Sequence, residues 1–237
     1  HVTFGYDPAD PVLRDVSFTI RPGERTAVVG WTGAGKSTLI KLLVRLYDVQ
    51  KGRITLDGVD IREIDLAVLR KSVGVVLQDS FLVADTVEGN ISLGDPRVTG
   101  DQVRKAAEAV SADRFIHRLP AGYDEPLMER GVNLSAGEKQ LLAFARALAF
   151  DPAVLILDEA TSSVDPATEG RIEDALNRLM ENRTSIVIAH RLATVRSADT
   201  ILVLHRGEVR EQGSHRELIG IEDGIYRMLY SLQTAAG

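Results

Sequence analysis

The residues with the clearest potential for chemistry form a glycine-rich turn between an apolar segment and a helical pattern. They are Gly30, Trp31, Thr32, Gly33, Ala34, Gly35, Lys36 and Ser37, with Thr38 following. Glycines let successive backbone N–H groups point at phosphate oxygens, and the N-terminus of the following helix adds positive potential. We therefore expect Lys36 to reach the β- and γ-phosphates of a nucleotide, and Ser37 to offer its hydroxyl to Mg²⁺. A chance glycine-rich turn is the alternative, and it fits poorly with a complete motif that has both flanks in place.

A second motif supplies two carboxylates at the end of an apolar segment. Residues 153–157 read as a buried strand, and Asp158 and Glu159 follow it directly. We predict that Asp158 holds Mg²⁺, itself or through a water ligand, and that Glu159 polarises the water that attacks the γ-phosphate. A charged turn after a core strand is the common alternative for an acidic pair, but the phosphate-binding loop in the same chain favours catalysis. Together the two motifs predict an NTPase that uses Mg²⁺.

The segment that narrows this prediction lies in the middle of the chain. Leu134-Ser135-Ala136-Gly137-Glu138 is followed by an amphipathic run over 139–150. These residues resemble the signature of ABC ATPases, usually written LSGGQ, and the other motifs of that family fall in register along essentially the whole chain. The resemblance implies an α/β fold of the P-loop NTPase class, with a mainly parallel sheet core, an N-terminal antiparallel β part and an inserted helical signature subdomain. It also implies that the nucleotide is ATP.

The resemblance assigns roles to residues outside these motifs. Tyr6 is placed where the family has an aromatic residue that stacks on adenine, and Gln78 where a glutamine touches Mg²⁺ or its water and senses the membrane domain. Residues 162–165 match the D-loop, and His190 matches the histidine that contacts the γ-phosphate. Taken alone, these residues have ordinary alternatives: a strand aromatic, a surface polar group, and a histidine that only satisfies hydrogen bonds. Three other histidines match no motif of the family, and we expect them to lie on the surface: His117, His205 and His215.

Family members work as head-to-tail pairs, so the resemblance implies a second ABC ATPase domain as partner. Ser135 and the N–H of Gly137 would then bind the γ-phosphate of an ATP held by that partner. In this chain Ala136 replaces the first glycine of the signature, and Glu138 replaces its glutamine. An intact catalytic set with an unusual signature resembles one half of the heterodimeric exporters. This predicts a different partner chain, with LSGGQ or close to it and without the catalytic glutamate; the alternative is a homodimer that tolerates LSAGE.

The stretch over 69–91 resembles exporters, in which the ATPase domain is fused behind its own transmembrane helices. Residues 129–131 partly match the exporter segment that contacts the coupling helices, whereas Pro126 and Met128 depart from its usual residues. The chain opens on His1 inside a predicted strand, so we expect it to be a piece of a longer polypeptide with its transmembrane domain upstream. The resemblance implies a location at the cytoplasmic face of the cell membrane and a function in export driven by ATP hydrolysis.

Composition limits the competing functions. The net charge of −6 over 237 residues argues against a nucleic-acid partner, which requires a basic face. The chain has no cysteine, which excludes disulfides, thiolate zinc sites and a thiol nucleophile. No apolar stretch approaches the roughly 20 residues of a membrane span. Two alternatives stay open: a soluble ABC ATPase that acts on nucleic acid or the ribosome, and a regulatory module that does not hydrolyse ATP. The presence of Glu159 and His190 argues against the second.

Hydrophobic periodicity predicts the elements that must position these residues. The predicted strands cover 2–6, 16–20, 25–29, 53–56, 73–77, 153–157, 184–189 and 201–204. The predicted helices include 35–46, 66–71, a run opened by Thr99 and Asp101, and one that starts at Asp165 and Pro166 and ends near residue 181. Alternation of strands and helices favours a parallel sheet covered by helices. We predict one ABC ATPase domain, with a core over 1–85 and 151–237 and a helical subdomain over 86–150.

Overall fold

The structure is a computed structural model, and it describes residues 1–77, 81–158, 166–189 and 192–236. The strands are β1 (Val2–Phe4), β2 (Leu13–Val16), β3 (Arg25–Val29), β4 (Thr55–Leu56), β5 (Val59–Asp60), β6 (Val73–Val76), β7 (Val154–Asp158), β8 (Thr184–Ile188), β9 (Thr200–His205) and β10 (Glu208–Gly213). The helices are α1 (Lys36–Leu43), α2 (Leu66–Ser72), α3 (Val87–Ser92), α4 (Gly100–Ala109), α5 (Asp113–Ile116), α6 (Ala136–Ala149), α7 (Pro166–Met180), α8 (Leu192–Ser197), α9 (His215–Ile219) and α10 (Ile225–Ala236). The chain divides into two compact units, one of residues 1–73, 156–160 and 184–237 and the other of residues 74–155 and 161–183.

The sheet of the first unit is mainly parallel. β3 pairs in parallel with β8 on one side and with β9 on the other, while β10 pairs with β9 in the antiparallel direction. β7 is the next strand beyond β8. Residues Ala27, Val28 and Val29 of β3 are all buried, as expected for a parallel strand covered on both faces. The predicted α/β class with a mainly parallel sheet is therefore confirmed.

An antiparallel pair of strands, β1 and β2, opens the first unit. Val2 lies opposite Val16, and Phe4 lies opposite Leu13. The predicted antiparallel β part is therefore present, but the prediction of a strand over 16–20 is wrong. The turn between the strands closes early, with the N–H of Asp10 donating to the carbonyl of Asp7 at 3.0 Å. Pairing with β1 starts soon after this turn, so β2 ends at the residue where the predicted strand begins.

Two short hairpins depend on pairs of residues with positive φ. Asp57 and Gly58 connect β4 to β5 with φ values of 50° and 84°, and Arg206 and Gly207 connect β9 to β10 with φ values of 50° and 82°. Two consecutive residues in the left-handed region are characteristic of tight hairpin turns. The predictions from sequence contained neither β5 nor β10. The second turn matters for the site because the N–H of Gly207 donates to the carbonyl of Ala34 in the phosphate-binding loop.

The second unit is built around α6. Helices α3, α4 and α7 all contact α6, whose buried face includes Leu141, Leu142 and Phe144. The predicted helical subdomain over 86–150 lies inside this unit, and its status as a separate subdomain stays a prediction. Among the helices that the structure describes, none is both long and apolar enough to span a bilayer.

Candidate nucleotide-binding site

The phosphate-binding loop joins the end of β3 to the start of α1. Gly35 is the N-cap residue of α1 and has a φ of 107°, a conformation that favours glycine. A Cβ atom at Gly35 would lie 2.6 Å from Cδ2 of Leu13, and one at Gly30 would overlap the carbonyl oxygen of Leu204. Packing against the backbone therefore requires glycine at position 30, whereas at position 35 the positive φ favours it. The first N–H groups of a helix have no intrahelical acceptors, so the start of α1 has donors for an anion.

Lys36 occupies the inside of this loop. Its Nζ donates to the carbonyl oxygens of Gly30 at 2.6 Å and Trp31 at 3.1 Å, and the residue is only 8% exposed. Burial lowers the pKa of the Lys36 ammonium, while the carboxylate of Asp158 acts in the opposite direction. The structure thus brings Lys36 and Asp158, which are far apart in sequence, within electrostatic reach in the first unit.

The remaining loop residues divide between the surface and the interior. Thr32, Gly33 and Ser37 are exposed, whereas Ala34 and Thr38 are buried. The hydroxyl of Ser37 and the carboxylate of Asp158 are oxygen donors of the kind that Mg²⁺ prefers. The residues present therefore fit a magnesium ion bound together with nucleotide phosphates.

Trp31 and two of the remaining histidines have ring contacts that the sequence did not predict. The indole of Trp31 packs against the imidazole of His205, with centroids 5.3 Å apart. His215 is hydrogen-bonded through Nδ1 to the hydroxyl of the buried Tyr226 at 2.6 Å. Both histidines are half-buried, so they are less exposed than a free surface position would make them, because their ring partners come from other elements. His117 is exposed, as expected.

Tyr6 lies after β1 with half of its surface exposed. Its hydroxyl contacts Lys41 and Thr38 of α1, and its ring contacts that of Tyr47. A half-exposed ring that is tied to the helix of the phosphate-binding loop could present a face to a nucleotide base. Sequence reasoning selected Tyr6 but missed Lys41 and Tyr47, because a lone lysine and a lone tyrosine carry no local signal.

Ser135 and Gly137 lie in the second unit at the N-terminus of α6. Ser135 is the N-cap residue, and Glu138 completes a capping box with it. The hydroxyl of Ser135 donates to Oε2 of Glu138 at 2.9 Å, and the N–H of Ser135 donates to the same oxygen at 3.0 Å. Arg118 lies 3.9 Å from the other carboxylate oxygen of Glu138. The hydroxyl that was predicted to bind phosphate is therefore occupied within the chain.

Arg146 was not selected from the sequence, although it is a structural anchor of the second unit. Its guanidinium donates to the carbonyl oxygens of Asn90 at 2.8 Å and Phe81 at 3.0 Å. Burial lowers the pKa of this guanidinium. An arginine within the apolar stretch over 141–150 could have signalled this role, since arginine is seldom buried without partners.

Several of the predicted site residues fall outside the described part of the chain. They are Gln78, Glu159, His190 and the D-loop residues 162–165. Their proposed roles stay predictions.

Comparisons with known proteins agree with the fold and with the motifs. A family model described as "ABC transporter" matches residues 13–162. The chain is 48% identical over 232 residues to a Bacillus subtilis protein named "Probable multidrug resistance ABC transporter ATP-binding/permease protein", covering 98% of this chain and 34% of the relative. It is 48% identical over 228 residues to a "Fatty acid ABC transporter ATP-binding/permease protein" of Mycobacterium bovis, covering 96% of this chain and 36% of the relative.

A solved structure gives the same result. A bacterial Atm1-family ABC exporter with ATP bound superposes with a TM-score of 0.90 at 45% identity, covering 98% of this chain and 40% of that chain. The chain thus spans between 34% and 40% of the length of these three proteins.

Proposed function

The chain belongs to the ABC transporter family, and we propose that it is the ATP-binding and ATP-hydrolysing motor domain of an exporter. The observation that carries this proposal is the buried ammonium of Lys36, held inside a glycine loop with the charge of Asp158 in reach. A lysine in such a loop, next to the free N–H groups of a helix, is suited to a triphosphate. The similarity to transporters and to an exporter supports transport over a soluble ATPase that acts on nucleic acid.

Binding of the triphosphate follows from the groups that line the loop. Backbone N–H groups at the start of α1 would donate to phosphate oxygens, as anions prefer the N-terminus of a helix. Lys36 would exchange one or both carbonyl acceptors, Gly30 and Trp31, for oxygens of the β- and γ-phosphates. The carbonyl oxygens are neutral acceptors, whereas the phosphate oxygens are anionic, so the exchange adds Coulombic attraction to the ammonium and favours the bound state. Tyr6 would stack on the adenine ring.

Magnesium would be held by Ser37, Asp158 and Gln78 in this proposal. Bound Mg²⁺ would neutralise part of the phosphate charge that builds up during transfer. Glu159 would orient a water molecule and accept its proton as the water oxygen attacks the γ-phosphorus, while the bond to the ADP oxygen breaks. His190 would donate a hydrogen bond to the γ-phosphate.

A second ABC ATPase domain would complete each site. Ser135 and the N–H of Gly137 would then bind the γ-phosphate of the ATP held by the partner, in head-to-tail arrangement. The hydroxyl of Ser135 must leave Glu138 to do so, since it now donates to that carboxylate. ATP would drive closure of the pair because it binds the closed state better than the open one.

The second unit carries exposed apolar residues that suit a contact with a transmembrane domain. Phe81, Met128 and Val132 are all more than half exposed, and their two segments are adjacent because the N–H of Arg130 donates to the carbonyl of Leu82. Neighbouring exposed apolar residues suit an interaction site better than isolated ones do. We infer that this surface docks against transmembrane helices of the same or an associated chain, which would place the domain at the cytoplasmic face of the cell membrane.

The test of the proposal is ATP binding by Lys36→Ala, measured by titration calorimetry with Mg²⁺ present. Loss of charged hydrogen bonds to phosphate should weaken ATP binding by about ten- to hundredfold. Lys51→Ala is the matched control, because Lys51 is an exposed lysine of the same unit. Equal affinity of Lys36→Ala and wild type for ATP would contradict the proposed function.

A further inference from the structure

Tyr6 belongs to a cluster of three aromatic rings in the first unit. Its ring meets those of Phe4 and Tyr47 nearly at right angles, at centroid distances of 5.4 Å in both cases. Phe4 is buried at 4% exposure, whereas Tyr6 and Tyr47 are 50% and 45% exposed. The cluster is therefore anchored in the core by Phe4 and open to solvent at both tyrosines. Edge-to-face contacts of this kind favour one relative ring orientation.

The hydroxyl of Tyr6 is fixed by α1, the helix that follows the phosphate-binding loop. Nζ of Lys41 donates to this hydroxyl at 3.1 Å, and Oγ1 of Thr38 shares a hydrogen bond with it at 3.3 Å. Burial alone would raise the pKa of the Tyr6 phenol, but the hydrogen bonds with Thr38 and Lys41 outweigh burial and lower it. Both ends of the ring are thus held before any ligand binds.

The segment after α1 also holds the backbone beside Tyr6. Oε1 of Gln50 accepts from the N–H of Gly5 at 2.9 Å, and Nε2 of Gln50 donates to the carbonyl of Gly5 at 2.8 Å. Arg45, at a φ of 50°, follows the C-cap residue of α1 and donates to two carbonyl oxygens in the segment 61–64. Tyr47 lies between Arg45 and Gln50, so the residue that contacts the Tyr6 ring is itself on a restrained segment.

We propose that Tyr47 and Lys41 are positioning residues for base recognition, acting through Tyr6. This inference rests on the proposed function, in which Tyr6 stacks on adenine. A free tyrosine ring would lose rotational freedom when a base stacks on it, whereas this ring is already ordered by its neighbours. Such preorganisation strengthens binding by removing part of the ordering cost. Tyr47 and Lys41 therefore affect recognition of the base and leave recognition of the phosphates unchanged.

The experiment compares two ligands, Mg-ATP and Mg-tripolyphosphate, by titration calorimetry on the 237-residue chain. Tyr47→Ala should weaken ATP binding by about two- to tenfold, which is the affinity equivalent of the free energy needed to immobilise one side chain. It should leave tripolyphosphate binding unchanged. Tyr47→Phe keeps the ring and should restore ATP affinity. Lys41→Met removes the donor to the Tyr6 hydroxyl and should show the same loss for ATP only.

A double variant and a control complete the test. In a Tyr6→Ala background, Tyr47→Ala should cause no further loss, since coupled residues are not additive. Leu46→Ala shortens an exposed neighbour in the same segment and should change neither affinity. Wild-type ATP affinity in Tyr47→Ala, or an equal loss for both ligands, would overturn the inference while leaving the proposed function intact. A wild-type chain that binds neither ligand would overturn the proposed function itself.

Discussion

At the scale of single residues, burial and charge oppose each other at Lys36. Burial favours the neutral amine, and the carboxylate of Asp158 favours the ammonium. The carbonyl oxygens of Gly30 and Trp31 accept hydrogen bonds from two N–H groups of the ammonium, so the charge is kept in a largely buried position. A triphosphate would bring further negative charge to the same place and would raise the pKa of this lysine again.

Tyr226 is a second buried group with a shifted pKa. Its ring is 2% exposed, and burial, with a smaller contribution from Tyr230, raises the pKa of the phenol from 10.0 to about 12. The folded state keeps a proton that the unfolded chain loses above pH 10. The contribution of Tyr226 to stability is therefore complete below pH 10 and is lost as the pH rises through about 12.

We predict that Tyr226→Phe reduces the alkaline loss of stability. Between pH 10 and about 12, the free energy of unfolding of wild type should fall by up to about 2–3 kcal/mol more than that of the variant, at about 1.4 kcal/mol per pKa unit. Urea unfolding at a series of pH values measures this difference. Tyr47→Phe, at an exposed tyrosine, is the control and should keep the wild-type pH dependence. Identical pH profiles for Tyr226→Phe and wild type would contradict the prediction.

At the scale of elements, α6 and α9 begin with the same capping box. Ser135 donates its hydroxyl to Glu138 at 2.9 Å, and Ser214 donates its hydroxyl to Glu217 at 2.8 Å. Of these two helices, only α6 also binds a phosphate in the proposed function. The carboxylate of Glu138 then competes for the hydroxyl that the γ-phosphate needs, and it adds negative charge near a triphosphate. Ala136 restricts the approach of the backbone further, because its methyl group replaces a glycine hydrogen.

We predict that the double variant Ala136→Gly, Glu138→Gln hydrolyses ATP faster than the unmodified chain, which should be slow when purified alone. A glutamine can still accept from the Ser135 backbone but carries no charge to repel phosphate. Glu217→Gln changes the equivalent capping box of α9 and should leave the rate unaltered. Steady-state phosphate release measures the hydrolysis rates of the unmodified chain, the double variant and Glu217→Gln. Brisk, cooperative hydrolysis by the unmodified chain alone would contradict this prediction and the heterodimer interpretation behind it.

The elements were predictable where the signal is local. β3 and β7 are apolar runs beside known motifs. Thr99 was predicted to open a helical run, and in the structure it is the N-cap residue of α4, with a capping box to Gln102. The Asp57-Gly58 pair carried a recognised hairpin signal that would have identified β5. β10 had a weaker signal, because arginine at position 206 is an uncommon residue for positive φ.

At the scale of the whole molecule, the family and the fold class followed from the order of motifs along the chain. The contacts that support the site did not, since they join residues far apart in sequence. The rings of Trp31 and His205 are in contact, as are those of Tyr47 and Tyr6. The residues of each pair are too far apart in sequence for a local pattern to predict the contact. Packing of this kind is decided by the tertiary fold.

The proposed motor also requires more than this chain. It supplies one phosphate-binding loop and one signature, and in the proposal each ATP lies between the loop of one domain and the signature of another. The chain spans 34–40% of the length of the proteins to which it is similar. The rest of each of those proteins is long enough to contain a transmembrane part. Hydrolysis and ATP-dependent pairing can nevertheless be tested on the chain alone, because the proposal assigns both to this domain.

The most direct measurement is ATP turnover by Glu159→Gln, with size-exclusion chromatography of the same variant in the presence and absence of ATP. Loss of the residue that accepts the proton of the attacking water should lower the hydrolysis rate by about 10²–10⁴, while ATP still binds. An ATP-dependent dimer should then accumulate, because the closed state can no longer be released by hydrolysis. Turnover within a few fold of the wild-type rate would contradict the account.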